Sequence, residues 1–286
     1  MSKTTAFQLY LQDILKNDLP PEYLSLLPQG WQKYGHIALL NLHKNLMPYK
    51  EIITEQSLLF LKKLNFQSVA IRGGATKELL RLPQIELLAG HPNPVVLHKE
   101  NQCIYRFDIT KITFSNGNHY ERKRLINKIG YNSTVIDLFA CVGNLTLGLA
   151  VHKKTKVIGI ELNPLAFSYL CQNLILNRID NIYTPLFGDN RLVTPKYLAD
   201  HVILGYWGID QKQYLVAVRA LKKTGGWLYI HELAQEKSQL TAKHQIENTL
   251  QEYGISFKVN RYQSRRVKWV APKLGHWTTD IQLKVI

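Results

Sequence analysis

An α/β fold, with a Rossmann-like parallel sheet behind a smaller N-terminal α/β domain, is predicted by three features of this 286-residue chain. The first is a strand-turn-helix-strand unit between Val135 and Glu161. The second is a further strand, Tyr183 to Phe187, that runs into the polar cluster Gly188-Asp189-Asn190-Arg191. The third is the alternation of strand-like and helix-like segments from Tyr120 to about Leu233, which calls for parallel pairing through crossover helices.

Taken in order, Ala6 to Leu27 opens with Leu9, Leu11, Ile14 and Leu15, a spacing that predicts a short amphipathic helix before the Pro20-Pro21 break. After Pro28-Gln29-Gly30 the pattern becomes a small α/β region. His36 to Leu42 reads as a strand, Glu51 to Leu64 as an amphipathic helix and Ser68 to Ile71 as a strand, followed by Gly73-Gly74. A strand pair is expected around His91-Pro92-Asn93-Pro94, whose prolines favour a loop. Gln102 to Asp108 leads into a linking stretch, Ser115-Asn116-Gly117-Asn118. A helix near Ser238 to Tyr253 and two closing strands end the order, so the parallel sheet should finish in an antiparallel pair. The expected parts are a helical segment (1–29), a small α/β domain (30–105) and a Rossmann-like domain (106–286).

The unit at Val135 carries the functional signal. Val135-Ile136-Asp137-Leu138 suits a buried strand, Phe139 to Asn144 a small-residue turn, and Leu145 to His152 the helix that the turn opens. The second strand, Lys156 to Ile160, ends on Glu161, about twenty residues beyond the turn, where an acid can meet a ribose. Small residues let the backbone approach a ligand, a helix start offers free N–H groups, and a carboxylate accepts from both ribose hydroxyls. A dinucleotide turn needs three glycines, whereas only Gly143 and Gly148 are present. That disfavours a pyrophosphate and favours S-adenosylmethionine (SAM); the alternative is a doubly wound domain whose turn binds nothing. One βαβ unit later, Asp189 could accept from an adenine amine and Asn190 could meet the ring edge, although alone they would read as an Asp/Asn turn before a helix.

Composition bounds the rest. Lys and Arg number 36 against 21 Asp and Glu, a net charge of +15, which points to a polyanionic partner. The excess gathers in Glu121-Arg122-Lys123-Arg124, in His152-Lys153-Lys154 and in Lys258 to Lys268. The last stretch contains no acid and interleaves Tyr262, with Trp269 just beyond, as a surface tracking phosphates and stacking on unpaired bases would. Solvated strand faces are the alternative for any one cluster. Cys103, Cys141 and Cys171 are too few and too scattered for a disulfide framework or a zinc site, so the expected setting is a reducing cytoplasm without a metal. No apolar run approaches the length of a membrane span, and Met1 to Gln8 lacks the long apolar stretch of a signal peptide.

Ordered motifs give the chain a more specific likeness. They are His98-Lys99-Glu100-Asn101, Phe107-Asp108-Ile109-Thr110-Lys111, Ser115-Asn116-Gly117-Asn118, Glu121-Arg122-Lys123-Arg124, Asp137-Leu138-Phe139-Ala140, Glu161-Leu162-Asn163-Pro164 and Gly188-Asp189-Asn190-Arg191, with the pairs Gly205-Tyr206 and His231-Glu232. From about Gly30 onward the chain resembles the wybutosine-synthesising tRNA aminocarboxypropyltransferases, which share a core with the tRNA guanine-N1 methyltransferases. The resemblance implies a class I SAM-dependent transferase fold, SAM contacts from Ser115, Arg122, Glu161, Asp189 and Asn190, and a small upstream domain that helps hold tRNA.

Leu204-Gly205-Tyr206-Trp207-Gly208 resembles the Gly-Tyr motif of the aminocarboxypropyl branch, where methyltransferases commonly carry Asn-Pro-Pro or Asn-Leu-Pro. Transfer of the 3-amino-3-carboxypropyl group to a 4-demethylwyosine-like guanosine next to the anticodon is therefore expected. Alternatives are tRNA guanine-N1 methylation, a small-molecule acceptor, or an RNA-binding protein with a degenerate core. Arg122 would grip the methionyl carboxylate with a hydroxyl contact from Ser115, unless it meets phosphate or solvent instead. His231 and Glu232 stand where a catalytic pair could reach the pocket, but such a pair is more often structural, so no base is assigned. Cys141 and Gln102 stand where the family has glycine, and a side chain at 141 strains the turn if φ there is positive.

Overall fold

Backbone contacts divide the chain into two units, Met1–Lys99 with Tyr105–Phe114, and Glu100–Ile104 with Ser115–Ile286. The structure is a computed structural model, and it describes residues 4–74, 81–235 and 241–285.

In the smaller unit, α1 (Ala6–Ile14) is capped by Thr5, whose hydroxyl accepts from the Gln8 N–H. Its buried stripe is Phe7, Leu11 and Leu15 at four-residue spacing, whereas Leu9 and Ile14 are exposed, which corrects the inward face expected from the leucines. After α2 (Pro21–Leu24), strands β1 (Gln32–Tyr34) and β2 (Ile37–Leu40) pair antiparallel. Helix α3 (Lys50–Lys62) crosses over to β3 (Ser68–Arg72), parallel to β2, and β4 (Ile85–Gly90) returns antiparallel on β3. Ile53, Leu58 and Leu61 of α3 join Phe7 and Leu11 in one apolar core with Ala38, Leu40, Val69 and Ile71 of the sheet.

The two strands expected around the His91 to Pro94 loop form, but they do not pair with each other. Strand β4 pairs with β3, and β5 (Val95–Glu100) joins β6 (Cys103–Asp108) in a separate two-stranded sheet. The loop between β4 and β5 is bound to the start of β3, since the His91 N–H donates to the Gln67 carbonyl at 3.2 Å and the Ser68 hydroxyl donates to the His91 carbonyl at 2.8 Å. At the tip of β5–β6, Asn101 and Gln102 are both left-handed, with φ of +48° and +60°, the signature of a tight two-residue turn.

The larger unit begins its alternation with α4 (His119–Lys128). Then follow β7 (Thr134–Asp137), α5 (Leu147–Lys153), β8 (Lys156–Glu161), α6 (Pro164–Leu176), β9 (Tyr183–Phe187) and α7 (Asn190–Val193). The order closes with β10 (His201–Leu204), α8 (Gln211–Ala220), β11 (Gly225–Ala234), α9 (Thr241–Glu252), β12 (Phe257–Ala271) and β13 (Leu274–Val285). The expected start of α9 at Ser238 lies outside the described residues.

The sheet order is β12-β13-β11-β10-β7-β8-β9, parallel from β11 to β9, with β13 antiparallel to β11 and β12 to β13. The expected Rossmann-like fold is therefore present. Its order reverses between β7 and β10, so a crevice opens at the C-terminal ends of those two strands. Alternate residues Ile136, Val202, Leu204, Leu228 and Ile230 pack with Tyr214 and Ala217 of α8 and Ile246 of α9. Helix α4 is tied to the sheet by charge, because the fully buried Asp280 of β13 pairs with Arg124 at 2.9 Å and with Lys128, both on α4, and with Arg265 of β12 at 3.1 Å. Burial alone would raise the Asp280 pKa, but the three cations outweigh it and hold the group below the ordinary carboxylate value.

Left-handed backbone costs a side chain on the order of 1 kcal/mol that glycine avoids. Gln102→Gly is expected to raise the thermal midpoint of the larger unit by roughly 2–4 °C, a gain read by differential scanning calorimetry against wild type.

Candidate functional site

The turn after β7 is built around a buried acid. Asp137 has no exposed surface; one carboxylate oxygen accepts from the Phe139 N–H at 3.1 Å and the other from the Thr146 hydroxyl at 3.0 Å. The Thr146 oxygen also lies 2.8 Å from the Tyr183 hydroxyl. That hydroxyl in turn fills the space above Gly159, where a Cβ would sit 2.3 Å away. Because Thr146 is held this way, the helix opens at Leu147 and not at the expected Leu145. Burial pushes the Asp137 pKa up to about 7, against the pull of its two hydrogen bonds.

That turn brings backbone onto the second acid. Cys141 is left-handed, with φ of +52°, so the strain expected of a side chain there is present. Its N–H donates to one Glu161 oxygen at 2.7 Å, and the other accepts from the Asn163 N–H at 2.7 Å. Burial raises the Glu161 pKa, and these backbone donors oppose the shift. The acid and the turn predicted to share a ligand thus meet at the end of β8.

Asp189 and Asn190 lie at the end of the adjacent strand, where Phe187 of β9 is the cross-strand partner of Glu161. Asp189 caps α7 by accepting from the Arg191 N–H at 2.9 Å, and its carboxylate takes the Arg191 guanidinium at 2.6 Å. Hydrogen bonds from Arg191 hold the Asp189 carboxyl below its ordinary value. Asn190 is buried, its amide donating to the Leu138 carbonyl at 2.8 Å and accepting from Gln213 at 3.3 Å. It fastens α7 to the end of β7. Leu162 and Phe187, beside these acids, are 42% and 53% exposed. Sequence reasoning passed over both, because only exposure at a crevice distinguishes them from core residues.

Ser115 and Arg122 form a second group. Arg122 is buried, and its guanidinium meets Glu100 side-on at 2.5 and 2.6 Å, with a third donation to the Ser115 carbonyl at 3.1 Å. The Ser115 hydroxyl accepts from Lys268 at 2.5 Å, and the His119 ring lies 3.2 Å from Glu100. Apart from the His119 ring, Arg122 and Lys268 against Glu100 leave this group one net positive charge. Sequence reasoning places Glu100 in a motif and Lys268 in a basic stretch but joins neither to this group, since they lie 22 and 153 residues from Arg122 and Ser115 respectively.

Beyond β10, Tyr206 stacks on Phe139 with centroids 5.1 Å apart and rings 17° from parallel. The Trp207 ring meets His276 at 5.1 Å. His231 is 1% exposed and lies 2.9 Å from His276, and burial lowers its pKa, so it is neutral. Glu232 is pushed up to about 7 by burial against a bond from Thr279. Among the described residues no group of His, Cys, Asp and Glu could hold a metal ion, and no helix is long and apolar enough to cross a membrane.

Comparison with known proteins bears on both units. A family model described as the TRM5/TYW2 methyltransferase domain matches residues 96–260, and one described as the TYW2 N-terminal domain matches residues 11–93. The tRNA(Phe) (4-demethylwyosine(37)-C(7)) aminocarboxypropyltransferase of Pyrococcus horikoshii is 30% identical over 98% of this chain and 99% of its own length. The crystal structure of P. horikoshii TYW2 in complex with MeSAdo has a TM-score of 0.81 at 29% identity, covering 97% of this chain and 99% of that one. The structure of M. jannaschii TYW2 with AdoMet has a TM-score of 0.70 at 28% identity, covering 90% and 100%.

The Asp137 carboxyl has a testable consequence. Its pKa is about 7 in the folded chain against 3.8 for an aspartate in water, so the stability it lends is full below 3.8 and is lost as the pH rises to 7. Asp137→Asn removes that loss. Urea melts at about pH 5 and about pH 8 should show the variant gaining on wild type at the higher pH by on the order of a few kcal/mol.

Proposed function

We propose, for a chain that belongs to the TRM5/TYW2 family, that it transfers the 3-amino-3-carboxypropyl group of SAM to a 4-demethylwyosine-type guanosine at position 37 of tRNA. One observation carries this reading over methyl transfer: 30% identity to an aminocarboxypropyltransferase over nearly the whole of both chains, together with a TYW2-type N-terminal domain at residues 11–93 of this one. Gly205-Tyr206 at the end of β10 supports it, with Tyr206 held flat against Phe139 beside the crevice.

The residues at the strand ends suit SAM. Glu161, fixed by two backbone donors, keeps lone pairs for the ribose hydroxyls. Leu162 and Phe187 supply apolar walls for an adenine, Asp189 accepts from its amine, and Asn190 holds the Asp189 turn against Leu138. The group of Arg122, Lys268 and Glu100 matches the single negative charge of a methionyl carboxylate, with Ser115 bridging the two cations. Glu100 sets the plane of the guanidinium, which orients the chain to be transferred.

Bound SAM supplies a sulfonium that makes all three attached carbons electrophilic. Which one reacts depends on which is held in line with the nucleophile at about 3–3.5 Å. The protein's contribution is therefore orientation: gripping the carboxylate turns the aminocarboxypropyl carbon, and not the methyl, toward the acceptor. No side chain is assigned as a base.

SAM labelled in both the methyl and the carboxyl carbon, incubated with bulk tRNA, should deliver only the carboxyl label to RNA. Methyl label in RNA would mean a methyltransferase, and carboxyl transfer without RNA a small-molecule acceptor. Arg122→Lys removes the flat two-point grip and should weaken SAM about tenfold or more, while methylthioadenosine, which lacks the carboxylate, binds as before. Calorimetric titration with both ligands checks this.

A further inference from the structure

The β12–β13 hairpin brings a cation and an exposed indole to the crevice end of the sheet. Strand β11 runs parallel to β10 and β7, so its last residue, Ala234, lies at the end where β7 and β8 deliver Asp137 and Glu161. Ala234 is opposite Gly275 of β13, and Gly275 is opposite Trp269 of β12. The tip, from Arg266 to Leu274, therefore stands on the ligand side. Lys268, within it, is the residue whose ammonium reaches the Ser115 hydroxyl, and Gly117 is so close to the Lys268 stem that a Cβ would sit 2.8 Å from it.

This tip is built to present a flat face. Trp277 is 5% exposed and anchored by its indole N–H on the Ala234 carbonyl at 3.1 Å. The Arg266 guanidinium lies 5.8 Å from the Trp277 ring centroid and 4.0 Å from that of Trp269. Gly275 leaves room for this arrangement, since a Cβ there would sit 2.7 Å from the Trp277 nitrogen and 3.2 Å from the Arg266 stem. Trp269 remains 48% exposed and Val270 43%. From Phe257 to Thr279 the chain contains no acid and, besides Arg265 on Asp280 and Lys268 on Ser115, carries Lys258, Arg261, Arg266 and Lys273.

We propose that Trp269, held by Arg266, is the stacking platform for an unpaired nucleobase of the substrate RNA next to the acceptor nucleoside. This rests on the reading of the crevice as a tRNA-modifying site. An apolar protein partner would want an uncharged surround, and a double helix keeps its base faces covered. A single-stranded loop offers both phosphates for the cations and π-faces for the indole.

The test uses the full chain and a fluorescently labelled anticodon stem-loop RNA, with affinity read by anisotropy. Loss of one stacked base costs about 1–3 kcal/mol, so Trp269→Ala should raise the Kd roughly 5- to 150-fold, and Trp269→Phe, which keeps a ring, only about threefold. SAM affinity by calorimetry should stay within about twofold of wild type in both. Unlabelled stem-loop should quench wild-type tryptophan fluorescence and quench Trp269→Phe less. An Ala variant that binds RNA within about twofold of wild type overturns the proposal. If the Ala variant also loses SAM, the Phe variant decides: quenching equal to wild type overturns the platform, and reduced quenching supports it. A wild-type enzyme that moves no carboxyl label into RNA would sink the functional reading by itself, while the affinity ratios still judge Trp269.

Discussion

A carboxyl group sealed from water holds the crevice in shape. Asp137 needs a hydrogen-bond partner for each oxygen and finds them in the Phe139 N–H and the Thr146 hydroxyl, so the chain leaving β7 has to double back. Doubling back places the Cys141 N–H on Glu161. The two acids divide the work: Asp137 faces inward and sets the path of the backbone, and Glu161 is left at the strand end with its orientation fixed. Tyr183 and Gly159 belong to the same construction, because the tyrosine hydroxyl that completes the Thr146 bond fits only above a residue without a side chain.

The net charge of +15 overstates what faces a polyanion. Arg124, Lys128 and Arg265 converge on buried Asp280 and join α4 and β12 to β13, and Arg122 and Arg191 are each paired with carboxylates. These cations are taken up by carboxylates of the protein itself. Exposed pairs of this kind contribute little, but a buried carboxylate with three partners is costly to break, because removing one leaves charge without compensation. The position of α4, and with it Arg122, follows from that arrangement.

Much of this was legible in the sequence because it is local. The strand-turn-helix-strand unit declares itself by apolar runs, a turn glycine and an acid at a fixed offset, and the structure shifts its boundaries by no more than two residues, most at the start of α5. The antiparallel closing pair followed from the order of elements. What could not be read is carried by contacts across long sequence separations. Nothing near Arg122 announces that Glu100 takes its guanidinium, and nothing near Ser115 points to Lys268. The pairing of β4 was misjudged for a related reason: the prolines near His91 mark a loop correctly, but which strand that loop is bound to depends on Gln67 and Ser68, 24 and 23 residues earlier.

The peptide chain enters the larger unit at Glu100, leaves it at Tyr105 and re-enters at Ser115. The brief visit between is secured late: Ile104 exchanges backbone bonds with the Asn177 amide, 73 residues onward, and the Asn101 carbonyl lies 2.6 Å from the His152 ring. During synthesis this five-residue excursion emerges from the ribosome well before the groups that will receive it, so the nucleoside-binding half cannot be completed until α6 has been made. A truncated gene starting at Ser115 would encode every strand of the large sheet and still lack the carboxylate that Arg122 holds.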